Sequence, residues 1–206
     1  MASSPSETSI ANAALVLLGE RRIDSIDGTS KTAKLIKERF DEVRDDTLRV
    51  HPWNFAQARA QIAKDTEEPV WGFNNLYPFP EDLLRLLNVN NPGGEPWRVE
   101  GRAIVTDLGE PLEIVYTKQV TDPTEMDVLF RQALAAHLAW DLAEAITGTN
   151  TKVQELQNIY QSKLQSARTP DGQEPSPAFV EAGEWLDSRD AVGFSRRIPS
   201  GQGTPL

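Results

Sequence analysis

Three residues with chemical potential, His137, Asp141 and Glu144, fall at i, i+4 and i+7. On a helix this spacing sets one imidazole and two carboxylates on one side, a donor set that suits a metal ion. His51 is the only other histidine and there is no cysteine, which excludes thiolate ligands, disulfides and a cysteine nucleophile and leaves the redox compartment open. The same helix carries a broad apolar face, so the reading favoured for this trio is a partly buried imidazole with solvated carboxylates at the helix edge. No metal and no cofactor is expected.

The carboxylate pairs Asp45/Asp46 and Glu81/Asp82 could serve general acid/base work on a glycan, which needs two carboxyls facing one bond. Neighbouring residues point in different directions, so helix edges and caps are the better reading of both pairs. Neither a Gly-x-Ser-x-Gly elbow nor a phosphate-cradling glycine loop is present, and Gly93-Gly94 reads as a hairpin tip. Five tryptophans offer stacking surfaces. Trp53 and Trp140 lie in apolar stretches and read as core, whereas Trp71 and Trp97, beside Pro and Gly, are candidates for a subunit or partner surface. With 21 Lys+Arg against 31 Asp+Glu, the net charge is −10, and Arg196-Arg197 is the only basic cluster near the C-terminus. That balance argues against a protein that coats DNA. No apolar run reaches the roughly 18 residues of a membrane span, and no basic segment precedes Ala13–Leu18 to make a signal peptide, so a soluble, unexported chain is expected.

These residues need elements to position them. Ile10, Ala13, Ala14, Leu17 and Leu18 recur at helical spacing before Gly19, which predicts a helix over 9–18. Ser30 caps a second helix with Ala33, Ile36, Phe40 and Val43 on its apolar face, ended by Pro52. Alternation over 56–63 predicts a strand, and further strands are expected at 73–77, 85–89, 97–100, 103–106 and 112–118. Asp122-Pro123-Thr124-Glu125 supplies a cap, a first-turn proline and a capping-box carboxylate for a third helix running to Ile146, the most apolar of all. A fourth, with Val153, Leu156, Ile159, Tyr160 and Leu164 in line, runs to Arg168 as the second arm of an antiparallel hairpin. Residues 169–206 hold five Pro and five Gly. They read as an extended arm that orders against a partner, with Phe179, Val180, Trp185, Leu186 and Phe194 as anchors.

The expected fold is α+β, mainly α: a four-helix bundle (1–54 and 122–168) interrupted by a small antiparallel β insertion (55–121), followed by the arm (169–206).

Three segments in this order resemble the tail tubular protein A family, the head-to-tail adaptors of short-tailed bacteriophages. They are Ile10-Ala-Asn-Ala-Ala-Leu-Val-Leu-Leu-Gly-Glu20 followed by Ile23-Asp-Ser-Ile-Asp27, then Trp53-Asn-Phe-Ala56, then Tyr77-Pro-Phe-Pro-Glu-Asp-Leu-Leu-Arg-Leu86. The alanine-rich helix 130–146 ending at Gly148 is similar as well, and the likeness covers about residues 8–168.

The resemblance implies a structural virion protein rather than an enzyme. It would be made in the cytoplasm of the infected bacterium and assemble in the tail or neck as a ring of roughly twelve copies. Its partners would be the portal protein on one side and the tail nozzle protein on the other, with tail fibres as a further candidate neighbour. Double-stranded DNA would pass through without sequence-specific binding, and no membrane is involved. The C-terminal segment would embrace the portal, with Phe179, Trp185, Leu186 and Phe194 as contacts, while the β region with Trp71 and Trp97 would face the nozzle or a neighbouring subunit. An acidic lumen would repel the DNA phosphates and leave the genome free to slide. Other readings are a head-completion or neck protein of another tailed phage, a virion-associated hydrolase, and a small-molecule-binding domain built on the Trp-rich β region.

Overall fold

A computed structural model of the protein describes residues 4–172. The expected anchors Phe179, Val180, Trp185, Leu186 and Phe194 lie outside the described residues.

Helix α1 (Glu7–Leu18) starts two residues earlier than its apolar spacing suggests, because Ser6 caps it: the Ser9 N–H donates to Ser6 Oγ at 3.1 Å and the Ser6 N–H donates to Ser9 Oγ at 2.9 Å. Helix α2 (Lys31–Arg49) begins at the expected cap, where Ser30 Oγ accepts from the Ala33 N–H. Ala33, Ile36, Phe40, Val43 and Thr47 form its buried stripe at alternating spacings of three and four. Helix α3 (Val128–Thr147) starts later than expected. Asp122 instead closes a turn by accepting from the Thr124 N–H, and Asp127 caps the helix by accepting from the N–H groups of Leu129 and Phe130. Helices α1 and α3 both stop at a glycine in the left-handed region, Gly19 at φ 81° and Gly148 at φ 63°, where a side chain would be strained. Helix α4 (Asn150–Asp171) continues through Pro170, so the first residues of the expected arm, Thr169 to Asp171, are its last turn.

Every residue of α3 from Ala133 to Ala139 is buried, nearly two turns enclosed on all sides. Its alanines let α1, α2 and α4 approach, and α3 is the helix against which each of the other three packs most extensively.

Six strands follow α2: β1 (Gln57–Ile62), β2 (Asn75–Pro78), β3 (Leu83–Val89), β4 (Trp97–Glu100), β5 (Ala103–Thr106) and β6 (Leu112–Lys118). They form two antiparallel three-stranded sheets in the orders β1-β6-β3 and β2-β5-β4. Ile62, Leu83, Val89, Leu112, Ile114 and Tyr116 of the first sheet pack with Tyr77 and Ile104 of the second in a core separate from the helical one.

This corrects the expected helical bundle with a small β insertion. About 45% of the described residues are helix and 19% strand, an α+β fold with two sheets. The physical reason is twofold. The helical stripes converge on α3 rather than on one shared axis, and the strands bury their apolar faces on each other, which makes the β region a second centre of packing. No described helix is long and apolar enough to cross a membrane.

Leu134→Ala in the enclosed part of α3 should lower unfolding stability by about 2–5 kcal/mol in a urea titration. Val128→Ala on the exposed first turn should stay within about 0.5 kcal/mol of the parent.

Candidate functional site

The His137 trio does not assemble. The ring of His137 is 7% exposed and stacks on Trp140 and Tyr160, with centroids 5.6 and 4.3 Å away. Thr47 Oγ1 donates to the Val43 carbonyl at 2.6 Å, so its contact with His137 Nδ1 at 2.8 Å must be one in which the imidazole N–H donates. This fixes the proton on Nδ1 and leaves Nε2 bare, 3.8 Å from Asp46 Oδ2. Burial holds the imidazole pKa below its ordinary 6.5 against the opposing pull of Asp46 and Asp141. Burial also pushes the Tyr160 hydroxyl up to about 12. Asp141 is taken by a two-pronged pair with Arg39, whose Nε and Nη2 each donate at 2.9 Å, and Glu144 is exposed. Among the described residues no group of three or more His, Asp or Glu could hold a metal ion.

The carboxylate pairs serve the junction between helices and sheets. Arg44 is 3% exposed and donates to Asp41 and Asp45 at 2.7 and 2.9 Å. Asp45 also accepts from Gln119 Nε2 at 2.6 Å, the Gln119 N–H donates to the Asp82 carbonyl at 2.7 Å, and the Tyr116 hydroxyl donates to the Asp82 carboxylate at 3.1 Å. This line runs from α2 through the end of β6 to the turn before β3. Arg49 reinforces it by donating to the Leu84 carbonyl, and Arg85 donates back to the Arg49 carbonyl at 3.1 Å. Asp46 and Glu81 are exposed beside these partners, so neither pair presents two carboxyls to one bond.

A second polar knot holds the end of α4. Asp171 accepts from His51 Nε2 at 2.9 Å and from the Asn54 N–H at 3.1 Å, and its carbonyl accepts from Asn54 Nδ2 at 2.6 Å. Arg168 donates to the Val50 carbonyl at 3.2 Å. The spacing of residues gave no warning of this knot, since its halves are 117 to 120 positions apart. A carboxylate directly after an in-helix proline is the one local hint.

The exposed surface of the second sheet is the remaining candidate. Trp71 is 84% exposed and Val70 98%, both on the loop before β2, while Trp97 and Val99 on β4 are 39% and 47% exposed. Pairing with β5 sets Trp97 and Val99 on the face of Tyr77 and Ile104, at its open rim, and sets Arg98 and Glu100 on the face of Leu76 and Val105. Val70, Trp71, Phe73, Arg98 and Glu100 line a depression of about 420 Å³ on that second face. Trp71 and Trp97, the candidates for a subunit or partner surface, therefore belong to different sides of one edge. Trp53, expected in the core, is 1% exposed and donates its indole N–H to the Thr47 carbonyl at 3.0 Å, and Trp140 is half-buried against His137.

No protein-family model matches the chain, and no curated protein matches it either. The site is therefore read from its own geometry, which offers a contact surface at the β4 edge.

Because the folded-state pKa of His137 lies below 6.5, the unfolded chain takes up a proton first as the pH falls. The contribution of His137 to stability is at its full value above about 6.5 and is lost as the pH drops toward the folded pKa. Thermal unfolding between about pH 7.5 and 5 should show a steeper acid-side loss in the parent than in His137→Asn, whose amide can still donate to Thr47. Equal slopes would rule the histidine out as the source.

Proposed function

We propose that this chain is a structural adaptor of a tailed-phage neck, a ring-forming protein between portal and tail nozzle with the DNA passing through. The observation that carries the reading is where the family-like segments fall: each supplies a contact that fixes the frame. Asn12 ties α1 to the following loop through both its amide ends, accepting from the Ile23 N–H at 2.8 Å and donating to the Ile23 carbonyl at 2.9 Å. Trp53 and Asn54 hold the ends of α2 and α4. Tyr77 is fully buried with its hydroxyl on the Leu108 carbonyl at 2.8 Å, and Asp82 belongs to the line between helices and sheet. Segments that serve as framework rather than as reacting groups suit a protein whose work is to hold shape and present surfaces. The hydrolase reading is weaker, because the side chains it needs are committed to Arg39, Arg44, Gln119 and Thr47.

The test is electron microscopy of the chain mixed with the portal ring from the same genome, against the portal alone and against a chain ending at Gly172. That end keeps the Asp171 knot intact, which a cut at Arg168 would remove. An added collar with the full chain, lost with the shortened one, is the expected result. No collar at any salt concentration would overturn the adaptor reading.

A further inference from the structure

We propose that β4 pairs antiparallel with β4 of a second copy of this chain, about a two-fold axis through Val99. Strand β4 is the outermost of its sheet, all four of its residues are exposed, and no described strand lies along its outer edge. The opposite edge of the sheet is partly occupied, since the Asp65 N–H donates to the Leu76 carbonyl at 2.8 Å. An open edge with exposed apolar side chains is a template for another strand.

The side chains of the strand select both the occupant and the register. With Val99 opposite itself, Arg98 stands opposite Glu100 of the copy, and Glu100 opposite the copy's Arg98, giving two cross-strand pairs of opposite charge on one face. On the other face the two Val99 side chains meet, and each Trp97 falls beyond the paired residues, beside the copy's turn at Gly101, which has no side chain to obstruct the indole. A centre at Arg98 or Glu100 would set like charges opposite each other, and a centre between Arg98 and Val99 would set Trp97 against Glu100. A parallel, in-register pair would also align like charges. Neither Arg98 nor Glu100 has an ion-pair partner among the described residues, so both are free to take these roles. Val70 and Trp71, which line the same depression as Arg98 and Glu100, stand beside this contact. An isologous contact closes after two copies, unlike the head-to-tail contacts of a ring. The pair is thus a property of the free chain and independent of the adaptor reading.

Sedimentation of the full chain at low salt should show a concentration-dependent dimer. Arg98→Glu and Glu100→Arg should each weaken it by about tenfold or more, since each converts both cross-strand pairs to like charges. An equimolar mixture of the two single variants should recover a dimer, and so should the double variant R98E/E100R, because both restore opposite charges. The chain has no cysteine, so Val99→Cys supplies a single thiol at the axis, within disulfide reach of its copy across either kind of antiparallel pair. Under mild oxidation it should give a covalent dimer, whereas Val128→Cys, exposed on α3, should not. A monomer at every concentration, a dimer indifferent to the single charge reversals, or no rescue on mixing would overturn the proposal.

Discussion

The structure depends on enclosing one helix. Seven consecutive residues of α3, Ala133 to Ala139, have no face left for water, and only helices on several sides can achieve that. The alanines reduce the distance at which backbones can meet, while Phe130, Leu134, Leu138 and Leu142 fill the gaps between them. Burying a helix all round leaves its polar side chains needing partners inside the fold. His137 and Asp141 meet that need with Thr47 and Arg39, both on α2, so the polar contacts specify how α2 lies on α3 where apolar packing alone would allow it to slide.

The β region obeys a separate constraint. Its two sheets satisfy their apolar faces against each other and join the helices through polar contacts: Arg44 to Asp45, Asp45 to Gln119, Gln119 to the Asp82 carbonyl, and the Asp82 carboxylate to Tyr116. Charged groups at such a joint are directional and depend on geometry, whereas apolar contacts are not. The joint therefore fixes orientation, and it uses carboxylates that in isolation resemble catalytic pairs. The same residue types serve either purpose, and only the partners tell them apart.

Local patterns in the sequence were readable where one residue decides the outcome. Ser30, Gly19 and Gly148 mark helix ends by their own chemistry, and the strands at 97–100, 103–106 and 112–118 fall where alternation and turn residues put them. Before α3 the expected cap, Asp122, closes a turn instead, and Asp127 caps the helix because it stands directly before the apolar run that the helix must bury. Architecture was not readable in the same way. Six short strands can form one sheet or two, and the choice rests on which faces meet, as Tyr77 and Ile104 meet Ile114 and Tyr116. At the candidate site, the exposure of Trp71 and Trp97 followed from their Pro and Gly neighbours, but their placement on opposite sides of one edge needed the pairing of β4 with β5.

The knot at Asp171 governs how the described domain responds to load. The described residues end just past α4, and a pull on a bare helix end would unwind it one turn at a time, each turn yielding at small force. Here the last turn is bonded sideways to His51 and Asn54, with Arg168 one turn back on Val50. Tension applied beyond Gly172 is thus shared with the segment that links α2 to the first sheet. Several bonds must then fail together rather than in sequence, and the grip is set by shear across the junction instead of by the peeling of one helix.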